Sequence, residues 1–170
     1  LARSCFYGVA PKDGDEAAYR TGRIPAGTPS PAAIEAAEQA VLAFERAMHR
    51  FELHHALGAC DEFLRAANKR WSDASKAAKN SDDEDAMNQA LVDAFHELRV
   101  ATVLMHGIVP AGCELICEHF AIDPAAFFSW DHIFETCDEL VEGLGERPGK
   151  HAIKPLPPRF DFFAKHPSQY

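Results

Sequence analysis

The stretch Phe51–Trp71, FELHHALGACDEFLRAANKRW, decides the fold. Leu53, Leu57, Cys60, Leu64, Ala67 and Trp71 succeed one another at spacings of four and three, the repeat of a helix with one buried stripe. Glu62, Arg65, Lys69 and Arg70 fall off that stripe and stay in water. The stretch holds no proline, and its single glycine, Gly58, costs about 1 kcal/mol against alanine. The spacing predicts a helix over 51–71 that ends on a cluster of cations.

Upstream, Ser30-Pro31 has the chemistry of an N-cap followed by proline at the first helical position. The strong helix formers after it predict a helix to about His49, burying Ile34, Val41, Phe44 and Met48. The helical phase shifts at Arg50. Residues 1–30 carry turn residues throughout and are expected to be irregular, with one short helical turn around Asp15–Arg20. Downstream, the polar segment 72–85 reads as a loop. Ser81-Asp82-Asp83-Glu84 has capping-box spacing ahead of a helix to His106, with Leu91, Phe95, Leu98, Thr102 and Met105 on its stripe. The last third of that helix is apolar nearly all round and should lie at the centre of the fold. Gly107 and Pro110 separate it from a helix bearing Leu115, Ile116 and Phe120. Asp123-Pro124 starts a short helix through Phe128, and a last helix runs to Leu144. The proline-rich and basic stretch 145–170 reads as an extended strap. No β-alternation persists. The expected class is all-α, an up-and-down bundle of about four or five helices forming one domain over 1–170.

At 170 residues, with 47% hydrophobic and 25% charged residues, the composition is that of an ordinary folded domain. No apolar run approaches the ~18 residues of a membrane span. The five cysteines include no C-x-x-C pair, so reduced thiols in a cytoplasmic protein are expected. A formal net charge of −9 disfavours nucleic-acid binding by bulk electrostatics and leaves room for a local basic patch.

Three constellations carry chemistry. Glu52 and His55 form E-x-x-H, and Asp93 and His96 form D-x-x-H on the next long helix. Paired motifs of this kind ligate two metals in carboxylate-bridged four-helix oxidoreductases. Cys113, Cys117 and His119 have ligand types on one helix, although small buried cysteines are the plainer reading. Asn68, Lys69, Arg70 and Trp71, followed by Lys76 and Lys79, place an indole among cations. Such a group can stack an unpaired base and meet phosphates, or Trp71 can close the core stripe. The chain has no G-x-S-x-G, P-loop or G-x-G-x-x-G, and no catalytic residue is assigned.

Several segments, in order, resemble the anticodon-binding helical domain of methionyl-tRNA synthetase, a class I aminoacyl-tRNA synthetase. YRTGRIP at 19–25 is similar to the segment before the domain's second helix. The end of Phe51–Lys69, AANK, resembles that family's Ala-Asn-Lys/Arg signature. LMHGIVPAGCELICEHFAI at 104–122 is similar to its helix junction, Trp130 to a tryptophan that follows, and KPLPPRFD at 154–161 to its closing segment. The family's Pro-Trp after the signature is absent, as are the Asn and Arg of its first helix within residues 1–18. The resemblance implies a domain that binds the anticodon loop of tRNA through residues such as Asn68, Lys69, Arg70 and Trp71, and holds no cofactor itself. ATP and Mg would belong to a separate catalytic domain of the same parent protein, because HIGH-like and KMSKS-like motifs are missing here. The remaining reading is a diverged interaction module without RNA binding.

Overall fold

The computed structural model describes residues 1–9, 22–154, 156 and 160–163. Among them lie seven α-helices: α1 (Ala2–Gly8), α2 (Pro31–His49), α3 (Leu53–Ser81), α4 (Glu84–His106), α5 (Pro110–Phe120), α6 (Pro124–Phe127) and α7 (Cys137–Gly143), with a single 3-10 turn, Trp130–His132, before α7. The class is all-α, as the periodicity implies. Three long helices make the bundle, and shorter ones cover one side. Helices α2, α3 and α4 pack pairwise along one another through two short turns, so they run up, down and up.

The expected caps form at several ends. Ser30 Oγ accepts from Ala33 N at 3.3 Å, Asp123 caps α6, and Pro110 opens α5. Thr136 and Glu139 build a full capping box on α7. The cap before α4 is Asp83 rather than Ser81. Asp83 Oδ1 accepts from Ala86 N at 2.9 Å, while Ser81 remains in the last turn of α3 and bonds back to its carbonyls.

Helix α3 departs most from expectation. It does not stop near Trp71 but continues through the segment read as a loop, to a length of 29 residues. Ser75 and Ala78 face the core there and extend the stripe by two turns. The polar residues between them sit on the solvent side, where they do not oppose a helix. The stripe itself is rotated: Leu53 and Leu57 are exposed, and Ala56, Cys60, Phe63 and Ala67 are buried. Helix α2 likewise buries alanines 33, 37, 40 and 47 with Val41, while Met48 is exposed and Ile34 and Phe44 are half-buried. Small residues at that contact let α2 and α3 approach closely, which leaves the larger side chains at the flanks. Residues 2–8, expected to be irregular, form α1, whose Phe6 enters an aromatic cluster with Phe95, Phe120 and Phe162. The turn expected around Asp15–Arg20 lies outside the described residues.

Helix α4 is the axis. From Ala90 to Leu104 every residue but Asp93 is buried. Its Arg99 is fully buried, and its guanidinium donates to the carbonyls of His132 at 2.6 Å, Ile133 at 3.1 Å, Glu135 at 3.2 Å and Phe127 at 3.3 Å. One side chain thus fastens the whole turn between α6 and α7. The strap is extended over its described part. Ile24 N donates to His151 O at 3.1 Å and Ile153 N to Gly22 O at 3.0 Å, an isolated antiparallel bridge of Arg23 with Ala152. His151 lies between Phe120 O at 2.8 Å and Glu146 at 2.9 Å and ties this seam to α5.

The α2–α3 turn is a Schellman motif. Phe51 N donates to Met48 O at 3.0 Å and Glu52 N to Ala47 O at 2.9 Å. Its left-handed position, normally glycine, is Phe51 at φ 57°. A residue with a β-carbon pays about 1–2 kcal/mol there, and the greater chain entropy of glycine returns about 0.5–1 kcal/mol. Phe51→Gly is therefore expected to raise stability by up to about 1 kcal/mol in chemical denaturation. A loss of stability would show that the ring contributes packing its exposure does not suggest.

Candidate nucleic-acid interface

Asn68, Lys69, Arg70 and Trp71 are consecutive residues in the interior of α3. A helix turns about 100° per residue, so the four point around the whole circumference and cannot share one face. Lys69 is exposed and holds Asp73 at 2.7 Å one turn on; Arg65 holds Asp61 in the same way at 2.7 Å. Each ion pair raises the cation's pKa through its hydrogen bond and neutralises its charge locally. Asn68 is exposed beside them. This outer face, continued by Lys76, is polar with balanced charges rather than strongly basic.

Arg70 turns inward. Its Nε donates to Glu97 Oε1 at 2.7 Å, and its Nη2 lies against the same oxygen. Glu97 is 1% exposed, and burial pushes its carboxyl pKa up while Arg70 pulls it back. The pair joins α3 to α4, so the guanidinium is committed within the fold. Trp71 is half-buried and packs on the core. Its ring lies over the end of α1, where a β-carbon on Gly8 would come within 3.5 Å of it. Trp71 therefore packs on the core with part of its indole, and the remainder meets solvent.

The four residues of the metal reading do not converge. Glu52 N-caps α3 and holds His55 at 3.0 Å on the surface. Asp93 accepts from Ser30 N and Ser30 Oγ, both at 2.7 Å, and anchors the start of α2. His96 is buried on α4, and its Nδ1 has no partner among the described residues. No three His, Cys, Asp or Glu side chains among the described residues gather as a metal site. Spacing on each helix was satisfied, but the two motifs sit at different heights on α3 and α4. Cys113, Cys117 and the other three cysteines are free and buried. Burial raises their thiol pKa values, to about 11 for Cys60 and Cys113 and about 12 for Cys117 and Cys137, so they are protonated packing residues. An apolar cavity of about 430 Å³ opens between α1, α4 and α5. The charged groups at its rim, Arg3 and Asp161, face each other at 3.5 Å.

Two features escaped the periodicity. The Arg70–Glu97 pair needed the crossing of α3 and α4 to be known. The second is the α2–α3 turn, where Phe51 stands almost entirely in solvent beside Arg50, His54 and His55. No helix long and apolar enough to cross a membrane occurs among the described residues. Comparison of the sequence with models of known protein families and with curated proteins gave no match.

Two outcomes follow from the buried polar groups on α4. Burial, and secondly Arg99, hold the His96 imidazole down at about 4. The unfolded chain takes up that proton near pH 6.5, and the folded chain resists it until about pH 4. Stability is therefore complete above the upper value and is lost as pH falls between them, by about 3 kcal/mol in total. His96→Leu should flatten this part of the pH–stability curve in urea titrations. In the second, Arg70→Met leaves Glu97 buried and unpaired and should cost about 3 kcal/mol, whereas Arg70→Met with Glu97→Leu should recover most of it.

Proposed function

We propose that this chain is a tRNA anticodon-binding helical domain of a methionine–tRNA ligase, working in the cytoplasm beside a catalytic domain of the same parent protein. The observation that carries the reading is the order of the resembling segments along the helices. AANK lies on α3, the 104–122 segment spans the end of α4 and all of α5, Trp130 begins the turn after α6, and Lys154 follows the strap bridge. Such a domain contributes to aminoacylation by holding the right tRNA, and so by selection rather than by chemistry. ATP, Mg and methionine would bind elsewhere in the parent protein.

On this reading the RNA meets the solvent side of α3. Asn68 offers an amide to an unpaired base, Lys69 and Lys76 position phosphates, and the exposed part of Trp71 supplies a stacking edge. Arg70 acts indirectly, by fixing the height of α3 on α4 through Glu97. The net charge of −9 favours a small, specific footprint over an extended phosphate track.

The test is fluorescence anisotropy with an anticodon stem-loop bearing CAU and with the same stem carrying a scrambled loop. The CAU loop should bind at least tenfold more tightly. Replacing Lys69 and Lys76 by Gln should weaken both RNAs and lower the salt slope by about one to two. Trp71→Phe, which keeps an aromatic ring in the stripe but shortens it, should reduce the discrimination between them. Equal binding of the two loops, or none, overturns the reading and leaves the interaction-module alternative.

A further inference from the structure

The α2–α3 turn gathers an unusual set of side chains at one end of the bundle. Phe51 is 91% exposed and occupies a left-handed position where glycine would be cheaper. One helical turn further, the rings of His54 and His55 lie 3.9 Å apart on the surface. Beside them a groove of about 400 Å³ runs between α2 and α3. Its floor is Ala43, Ala47, Gly58 and Ala59, and a β-carbon on Gly58 would meet nothing within 4 Å. Arg46 and Arg50 stand on one wall, one turn apart and exposed. Neither guanidinium has an ion-pair or hydrogen-bond partner among the described residues, in contrast to Arg65, Lys69, Arg70 and Arg99. Two carboxylates share the groove. Glu52 is committed to His55, whose hydrogen bond pulls its pKa down, and Glu62 lies on the α3 wall.

We propose that this turn binds single-stranded RNA, with Phe51 as a stacking platform for one base, the adjoining His54–His55 pair as an edge for its neighbour, and Arg46 and Arg50 taking the phosphates in the groove. An exposed aromatic ring costs little sequence specificity and gains from every base, because each base has a π-face. Two exposed guanidiniums at i and i+4 lie about one helical turn apart, and each can meet a phosphate oxygen. A narrow strand fits the charge pattern better than an anionic bilayer does. The strand needs only the Phe51 ring and the wall that carries Arg46 and Arg50, with Glu52 held by His55 and Glu62 on the opposite wall, whereas a bilayer would face the whole end of a molecule with net charge −9. The assignment stands on the exposed Phe51 ring and the two exposed arginines of the groove and does not rest on the anticodon reading, which places RNA on the outer face of α3.

The experiment titrates the whole chain with a labelled eight-nucleotide oligouridylate, with the CAU stem-loop, and with vesicles rich in phosphatidylserine. The wild type should bind the oligouridylate with a salt slope of about −1.4, the value for two phosphates of a single strand. Phe51→Gly, which suits the local backbone, should lower affinity about tenfold. Arg46→Gln with Arg50→Gln should bring the slope near zero, and Lys150→Gln should change neither quantity. No binding of the oligouridylate, or binding indifferent to the Phe51 and arginine variants, overturns the proposal. Vesicle capture that needs Phe51, without oligouridylate binding, assigns the turn to a lipid surface and also overturns it. Oligouridylate binding without stem-loop binding sinks the anticodon reading alone. Stem-loop binding indifferent to Phe51, with no oligouridylate binding, sinks this proposal alone.

Discussion

The buried guanidinium of Arg99 is the interaction on which the short-helix side of the protein depends. A charge taken from water costs several kcal/mol unless hydrogen bonds replace its hydration. Here the replacement comes from backbone carbonyls at the end of α6 and in the turn before α7, without a carboxylate in hydrogen-bond contact among the described residues. Those carbonyls belong to segments too short to hold themselves. Helix α6 has four residues and the 3-10 turn three, well below the length at which an isolated helix is stable. The two terminal nitrogens of the guanidinium and the turn therefore satisfy each other, while the buried Nε has no hydrogen-bond partner among the described residues. Burial lowers the pKa of Arg99, yet the side chain starts so far above neutrality that it remains charged.

The same helix shows why polar groups in a core demand partners in three dimensions. Within two turns of α4, Asp93 anchors the start of α2, Glu97 meets Arg70 from α3, and Arg99 gathers the far connection. Three neighbouring elements are registered on one helix through directional bonds, while the apolar stripe between them supplies the bulk of the burial. His96 belongs to this row but lacks a partner for Nδ1, and its neutrality at pH 7 is what makes its position tolerable.

The class, the number of long helices and most starts were legible in the sequence, because Ser30-Pro31, Asp123-Pro124 and Pro110 are local signals with local physics. Helix ends were less so. Segment 72–85 looked like a loop because its polar residues are frequent, yet Ser75 and Ala78 keep the period and a long partner helix continues beside them. The stripe of α3 was displaced because alanine and cysteine can pack closer than leucine, a choice that depends on α2. The candidate interface suffered from the same cause. Four consecutive residues of a helix spread around its circumference, so 68–71 share no common face, and the continuation of α3 past Trp71 removes the open helix end beside them. Glu52, His55, Asp93 and His96 had correct spacing within each helix, but relative height between helices is set by packing and is invisible to a motif.

The bridge between Arg23 and Ala152 joins parts of the chain separated by nearly its whole folded length. The contacts among α2, α3 and α4 close short loops and can form early, whereas this seam must wait until both ends of an assembled bundle are in place. Its few backbone hydrogen bonds, with His151 beneath them, are then the last structure gained during folding and the first given up during local opening. Amide exchange would find Ile24 and Ile153 exposed long before the axis of α4, although all of these residues are equally buried in the native state.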